Sequence, residues 1–237
     1  MVKDENGIEV DATFYKQIVG SLMYLTATQP DMMFVVSLIS GDMAQPTKLH
    51  LLAAKRVLRY LRGTTNFGIF YKKGGNKELV AYTDSDYARD FEDRKSTVGY
   101  VFMLSSGAVS WSSRKQPIVT LSIIETKFIV ATACTCQVVW IKRILTKLSY
   151  DQGDCTTMFC DNSSTIKLSK NPVIHGHSKH IDVRFHFLCD LNKERVVQLV
   201  HCGTQDQVAD VMTKPLKLDL FQKLRGMLGV CEVPKVN

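Results

Sequence analysis

Between Ile124 and Leu148 the residues Ile124, Phe128, Ala131, Thr135, Val138, Ile141, Leu145 and Leu148 recur at intervals of three or four. That spacing keeps one side of an α-helix apolar for roughly 36 Å at about 1.5 Å per residue. A helix this long needs a broad surface on which to bury its stripe, and a β-sheet is the usual one. The flanking sequence supplies strands. Leu79 to Thr83 and Thr156 to Cys160 are short apolar runs, one before and one after the helix, and each leads into an aspartate, Asp84 and Asp161. Strand, helix and strand in that order allow parallel pairing through a right-handed crossover. Gly99 to Leu104 and Ala108 to Ser112 alternate with period two and are joined by Ser105-Ser106-Gly107, a hairpin signal. The first three of these strands predict an antiparallel meander.

The rest of the chain follows the same rules. Residues 10–62 read as helical. Tyr15 to Leu25 has helical spacing, and Pro30 suits the first turn of a helix from Asp31 to about Met43. A third helix opens at Pro46-Thr47, runs through Leu51, Ala54, Val57, Leu58 and Leu61, and stops at Gly63. Its other face carries Lys55, Arg56, Arg59 and Arg62, which fits a solvated face and a phosphate-binding face equally. Phe67 to Tyr71 is strand-like. Beyond Asp161 the pattern predicts helices over Asn162–Ser169 and Ile181–Lys193, a strand over Arg195–His201, a helix over Gln205–Met212 closed by Pro215, and a tail helix over Phe221–Leu228. The order implies an α/β fold, a mixed sheet with helices on its faces. Three parts result: a mostly helical segment 1–75, an α/β domain 76–218, and a C-terminal helix and tail 219–237.

Composition narrows the function classes. A hydrophobic fraction of 45% and a charged fraction of 22% are ordinary for a globular protein. The formal net charge of +7 favours polyanionic partners. The seven cysteines are odd in number and none forms a Cys-x-x-Cys pair, so they read as reduced, mostly buried residues. The N-terminal Met1-Val2-Lys3-Asp4-Glu5-Asn6 is too polar for a secretory signal. The apolar stretch Ile18–Ile39 is broken by Gly20, Gln29, Pro30 and Asp31, so no membrane partner is expected.

Three acids stand out by position. Asp84 and Asp161 end strands that the crossover makes neighbours, so both project at one sheet edge. A helix docked there adds Asp210 from Asp206-Gln-Val-Ala-Asp210. Clustered carboxylates repel and need a counter-charge, and hard oxygen ligands suit magnesium. Two such ions about 4 Å apart activate water and stabilise a leaving oxygen in phosphodiester hydrolysis.

Several blocks then resemble one family. Tyr82-Thr83-Asp84-Ser85-Asp86-Tyr87-Ala88, Arg94-Lys95-Ser96-Thr97-Val98-Gly99-Tyr100-Val101-Phe102, Val109-Ser110-Trp111-Ser112-Ser113-Arg114-Lys115-Gln116-Pro117 and Cys160-Asp161-Asn162 are similar to motifs of the copia-type retrotransposon ribonuclease H. So are Ser178-Lys179-His180-Ile181-Asp182 with Phe185-His186-Phe187, and Asp206-Gln207-Val208-Ala209-Asp210 with Thr213-Lys214-Pro215. The blocks keep family order over roughly residues 78–230. Ile18 to Leu25 and Ala53 to Leu61 resemble the polyprotein segment joining reverse transcriptase to ribonuclease H. The reverse transcriptase motif with paired Asp is absent, so the chain reads as a C-terminal Pol fragment.

The resemblance implies a ribonuclease H-like mixed five-stranded sheet flanked by helices, acting on the RNA strand of an RNA/DNA hybrid with two Mg2+ ions, or Mn2+. It implies Asp84, Asp161 and Asp210 as three of four catalytic metal ligands. The fourth is a Glu near the start of the long helix, and the spacing puts Lys127 there. Glu125 lies two residues away, about 200° around a helix, and is the alternative ligand. With Lys127 the site is expected to be degenerate, and Lys127 itself can pair with Asp84 or Asp161. The reverse transcriptase domain of the intact polyprotein is the implied protein partner, and a virus-like particle in the cytoplasm, or the nucleus, the implied location.

Lys95, Ser96, Arg114, Lys115 and Gln116 sit near the site and are candidate contacts to phosphate and sugar, or else ordinary turn residues. His175, His177, His180, His186 and His201 match no zinc spacing. Arg59-Tyr60-Leu61-Arg62 spells the Arg-x-Leu-Arg tag of secreted oomycete effectors. Set on an amphipathic helix with no leader ahead of it, the string reads as a chance match. A non-catalytic nucleic-acid-binding module and an effector remain the competing functions.

Overall fold

The computed structural model describes residues 7–74, 77–150, 152–170 and 179–233, the side chains of 179–182 excepted. His175, His177, the side chain of His180 and the boundary at 75–76 lie outside the described residues. The expected five-stranded mixed sheet is present, in the order β4-β3-β2-β5-β6. Its strands are β2 (Leu79–Ser85), β3 (Thr97–Leu104), β4 (Gly107–Lys115), β5 (Thr156–Cys160) and β6 (Val197–His201). β2, β3 and β4 form the antiparallel meander, with Leu104 opposite Gly107 across the hairpin. β5 runs parallel to β2, with Tyr82 opposite Phe159, and β6 runs parallel to β5.

The crossover from β4 to β5 is made by α4 (Ile123–Lys147). This helix is long and apolar enough to cross a membrane, but half of its apolar window is buried in the protein. Phe128, Ala131, Cys134 and Val138 pack on Ala81, Phe102 and Met158 of the sheet. Burying a side chain such as Phe128 contributes about 2–3 kcal/mol. Leu188 and Cys189 of α6 (Lys179–Lys193) join the same core, and α5 (Ser163–Lys170) adds Ile166.

The opposite face of the sheet is covered by the two ends of the chain. Val101, Met103 and Ala108 meet Val208 and Met212 from the segment after β6, and Leu224 from α7 (Leu218–Met227). The helix predicted over Gln205–Met212 is instead two 3-10 turns, Thr204–Asp206 and Val208–Met212. Gln207 separates them. Its buried side chain donates to Thr83 O at 3.2 Å and accepts from Ala209 N at 3.2 Å, so the backbone there follows the sheet rather than its own helical bonds. The strand expected at Phe67–Tyr71 is shorter, β1 (Phe67–Ile69), and pairs with the unpredicted β7 (Val230–Glu232) in a separate two-stranded sheet. Gly229 turns α7 into β7 at φ +83°, where a Cβ would lie 2.8 Å from Ser106 O.

The N-terminal helices are α1 (Ala12–Leu25), α2 (Met33–Ser40), entered through a 3-10 turn at Pro30–Met32, and α3 (Lys48–Gly63). Asp11 caps α1 by accepting from Thr13 N at 2.8 Å. The helices share a core of Tyr15, Val19, Leu22, Met32, Val36, Ile39, Ala54 and Val57. Trp111 of β4 fixes them to the sheet by donating to Thr26 O at 2.8 Å. At a second junction buried Asp31 accepts from the Tyr60 hydroxyl, which in turn accepts from Arg225 Nη1 at 3.0 Å. The Arg225 guanidinium lies 4.5 Å from the centre of the Phe67 ring.

Candidate active site

The parallel register of β2 and β5 brings Asp84 and Asp161 to the same sheet edge. Asp210 reaches that edge through a steric device on β3. Gly99 pairs with Asp84, and a Cβ at Gly99 would lie 2.4 Å from Met212 Cβ and 2.9 Å from Thr213 Cγ2. Only glycine lets the Val208–Met212 turn lie so close to the strand. The contact puts Thr213 and Lys214 beside Asp84.

Two lysines enter this group of acids. Lys127, buried in the first turns of α4, places Nζ 2.7 Å from Asp84 Oδ1 and 2.5 Å from Asp161 Oδ1. Lys214 Nζ lies 2.9 Å from Asp210 Oδ1 and 3.4 Å from Asp84 Oδ2. Thr213 Oγ1 also donates to Asp84 Oδ2. Burial by itself would raise the Asp84 pKa, but the charges of Lys127 and Lys214 and the bonds from Lys127 and Thr213 hold it below the ordinary carboxylate value. Burial would lower Lys127, and Asp84 and Asp161 together hold it above the usual lysine value instead. Asp210 is pushed up to about 7, first by burial and then by the neighbouring Asp84 charge. Its Oδ2 has no hydrogen-bond partner among the described residues.

Glu125 does not join this group. Ser122 caps α4 by accepting from Glu125 N at 3.1 Å, and Glu125 Oε2 accepts from Leu121 N at 2.8 Å. The glutamate closes the turn that starts the helix, and Lys127, two residues on, faces the acids. Of Lys127 and Glu125, only Lys127 reaches Asp84 and Asp161.

The donor set does not fit a divalent metal ion. Both Asp84 oxygens and one oxygen of Asp161 already accept hydrogen bonds or face an ammonium. Among the described residues no group of three or more His, Cys, Asp or Glu side chains is arranged to hold a metal. What the arrangement does chemically is neutralise buried carboxylates with ammonium groups. Lys214 and Thr213 lay inside a recognised sequence block without a role. The four-residue spacing from Asp210 to Lys214 was the available signal.

The proposed phosphate contacts are mostly engaged within the protein. Ser96 is buried and its Oγ accepts from Ala88 N at 3.0 Å, at a residue with φ +49°. Gln116 is buried and donates to Thr126 O at 3.3 Å. Lys95 lies 3.3 Å from Asp93, and Lys115 lies 2.6 Å from Asp90 and 3.3 Å from Asp93. Asp90 is held down to about 2: its burial would raise it, but Lys115 and the Glu92 and Asp93 amides outweigh that. Arg114 is exposed on the wall of a cleft of about 550 Å3 between α2 and the 86–92 loop. Asp86, on the same wall, accepts from Thr97 N at 2.6 Å, and burial raises it to about 6. His201 ends β6 in an exposed position.

No family model matches the chain. Sequence relatives do. The retrovirus-related Pol polyprotein from transposon RE1 of Arabidopsis thaliana is 42% identical over 224 residues, 94% of this chain. The chain belongs to the retrovirus-related Pol polyproteins of copia-type transposons. It spans 15% of the length of the RE1 polyprotein. Another relative, the secreted RxLR effector protein 161 of Plasmopara viticola, is 41% identical over 128 residues, which make up 54% of this Pol chain and 90% of that protein. Among solved structures, the N-terminal ribonuclease H domain of Rv2228c from Mycobacterium tuberculosis covers 64% of the chain at 9% identity and a TM-score of 0.43. The Pol chain's own sheet, with three antiparallel strands, a crossover helix and two parallel strands, is the ribonuclease H-like architecture that the sequence resemblance implied.

Proposed function

We propose that this chain is a ribonuclease H-family domain that retains a duplex-binding fold but no longer hydrolyses the RNA strand of RNA/DNA hybrids. The observation that carries this reading is Lys127 Nζ, within hydrogen-bond reach of both Asp84 and Asp161. The family resemblance places a glutamate there, a fourth carboxylate for two divalent ions, Mg2+ or Mn2+. Two-metal hydrolysis depends on anionic oxygen ligands. Lys127 removes one ligand and adds a cation in the space of the ions. A pair of unit charges about 4 Å apart at an effective dielectric near 20 interacts by about 4 kcal/mol, and the repulsion roughly doubles against a divalent ion.

The partners this reading implies are an RNA/DNA hybrid and the reverse transcriptase of an intact polyprotein, in a cytoplasmic virus-like particle or the nucleus. The likeness to an effector does not rest on the string Arg59-Tyr60-Leu61-Arg62. The likeness to the Plasmopara viticola protein runs over 128 residues, far beyond one short string. In this chain the string Arg59-Tyr60-Leu61-Arg62 lies within α3, where Tyr60 bonds to Asp31 and Leu61 packs on the helical core.

Cleavage of a labelled RNA/DNA hybrid with Mg2+ tests the proposal. The unmodified chain is expected to leave the RNA intact and the Lys127→Glu variant to cut it. Cutting by the unmodified chain at the rate of the variant would overturn the reading.

A further inference from the structure

Helix α3 contributes one face to the N-terminal core and leaves the other uncovered. Ala54 and Val57 are buried there, and Leu51, Ala53, Tyr60 and Leu61 pack beside them. Lys48, Lys55, Arg59 and Arg62 are exposed. At about 100° per residue these four cations fall within an arc of about 60° and run for about 21 Å along the axis. Arg56 lies to one side of the line. The helix contains no Asp or Glu. None of its five cations has an ion-pair partner among the described residues, although Lys95, Lys115, Lys127, Lys214 and Lys223 all have one. Unpaired like charges in a row repel one another. The row is also held rigidly, because Tyr60 on the inner face is tied to Asp31 and Arg225.

We propose that the outer face of α3 binds double-stranded nucleic acid, with Lys48, Lys55, Arg59 and Arg62 set against phosphates of its backbone. This rests on the reading of the chain as a duplex-binding domain and adds a second contact surface, on a different layer of the molecule from the acid cluster. The argument is charge complementarity. A duplex presents about one negative charge per 1.7 Å of its axis, so a row of cations about 21 Å long faces several phosphates at once. An anionic membrane surface offers similar charge, but a helix that lies on a membrane inserts an apolar face. The apolar face of α3 is already committed to the core, and its exposed leucines form no single stripe: Leu49 and Leu58 stand on opposite flanks of the cation row, with Leu52 between Leu49 and the row.

The test is salt-dependent binding of the full chain to a labelled RNA/DNA hybrid, followed by fluorescence anisotropy without metal. A Lys55→Gln/Arg59→Gln/Arg62→Gln variant is compared with an Arg143→Gln/Lys147→Gln/Lys193→Gln variant, which loses the same charge from exposed positions elsewhere. Each lost phosphate contact lowers the slope of log affinity against log salt by about 0.9. The α3 variant should therefore lose about 40-fold less affinity than the parent between about 50 and 200 mM salt, while the control keeps the parent slope. Arg59→Gln alone should lower the slope by about 0.9 and guards against misfolding of the triple variant. Equal slopes for the two triple variants would overturn the α3 surface and leave the duplex-binding reading standing. Failure of the unmodified chain to bind hybrid would overturn both. Binding to phosphatidylserine vesicles in preference to hybrid, abolished by the α3 triple, would overturn the choice of partner.

Discussion

Asp84 and Asp31 are both buried aspartates, but their surroundings move them in opposite directions. Asp84 touches two ammonium groups and a hydroxyl and is held below the ordinary carboxylate pKa against the effect of its burial. Asp31, at the junction of the helical segment with α7, is raised by burial. The Tyr60 hydroxyl only partly offsets this, and Asp31 Oδ1 has no partner. Burial alone therefore does not set the state of an acid here. What matters is the balance of charges in contact: Asp84 has two ammonium groups, whereas Asp210 has Lys214 on one side and the Asp84 charge on the other and is still raised. At this sheet edge the chain's own lysines hold Asp84 in its ionised form.

The sharpest way to break the comparison is to remove the cation. Lys127→Met should destabilise the fold by about 3–5 kcal/mol in denaturant unfolding, because it leaves two carboxylates without their shared partner. Adding Asp84→Asn should recover a large part of that loss. A loss below about 1 kcal/mol for Lys127→Met would mean that Lys214 and solvent suffice, and that the two acids differ less than their contacts imply.

A pH comparison is subtler. A lowered folded pKa means that the stabilising effect of Asp84 is present above its unfolded value near 3.8 and is lost as pH falls through the folded value. A raised folded pKa means the reverse for Asp31, whose ionisation costs stability increasingly as pH rises from 3.8 through the folded value. The destabilisation caused by Asp84→Asn should therefore grow between about pH 3 and 6, and that of Asp31→Asn should shrink, by an amount on the order of 1 kcal/mol. Parallel pH profiles for the two variants would erase the contrast.

The smallest effect is expected at Glu125. Glu125→Gln keeps an acceptor for Leu121 N, so it should change stability by no more than about 0.5 kcal/mol and leave cleavage by the Lys127→Glu variant unaltered. A tenfold fall in that cleavage would show that Glu125 does more than close a turn.

Much of this was legible in the sequence because it depends on period and position. The three-and-four spacing of Ile124 to Leu148 marked α4, and the apolar runs ending at Asp84 and Asp161 marked the parallel pair β2 and β5. Lys127 at the fourth position followed from the family resemblance, whose motif spacing falls on it at the start of α4. What the sequence hid depends on approach between distant segments. Gly99 gave no sign that Met212 would lie against it, so the placing of Thr213 and Lys214 on Asp84 stayed hidden. Gln205 to Met212 has helical composition, but the bond from Gln207 to Thr83 O overrides it. Lys95 and Lys115 look like free cations in the sequence, and only the fold shows that they face Asp90 and Asp93.

The pairing of β1 with β7 has a consequence for how the molecule is made. Asn66 bonds to Glu232 across a separation of 166 residues, and Val233 N donates to Asn66 O at 2.8 Å. On the ribosome β1 emerges long before its partner, because 166 residues separate Asn66 from Glu232. Until then its open edge is a place where another strand can pair. Synthesis of Val230–Glu232 is thus the step that closes this small sheet, and a chain stopped short of Val230 would leave the β1 edge unpaired.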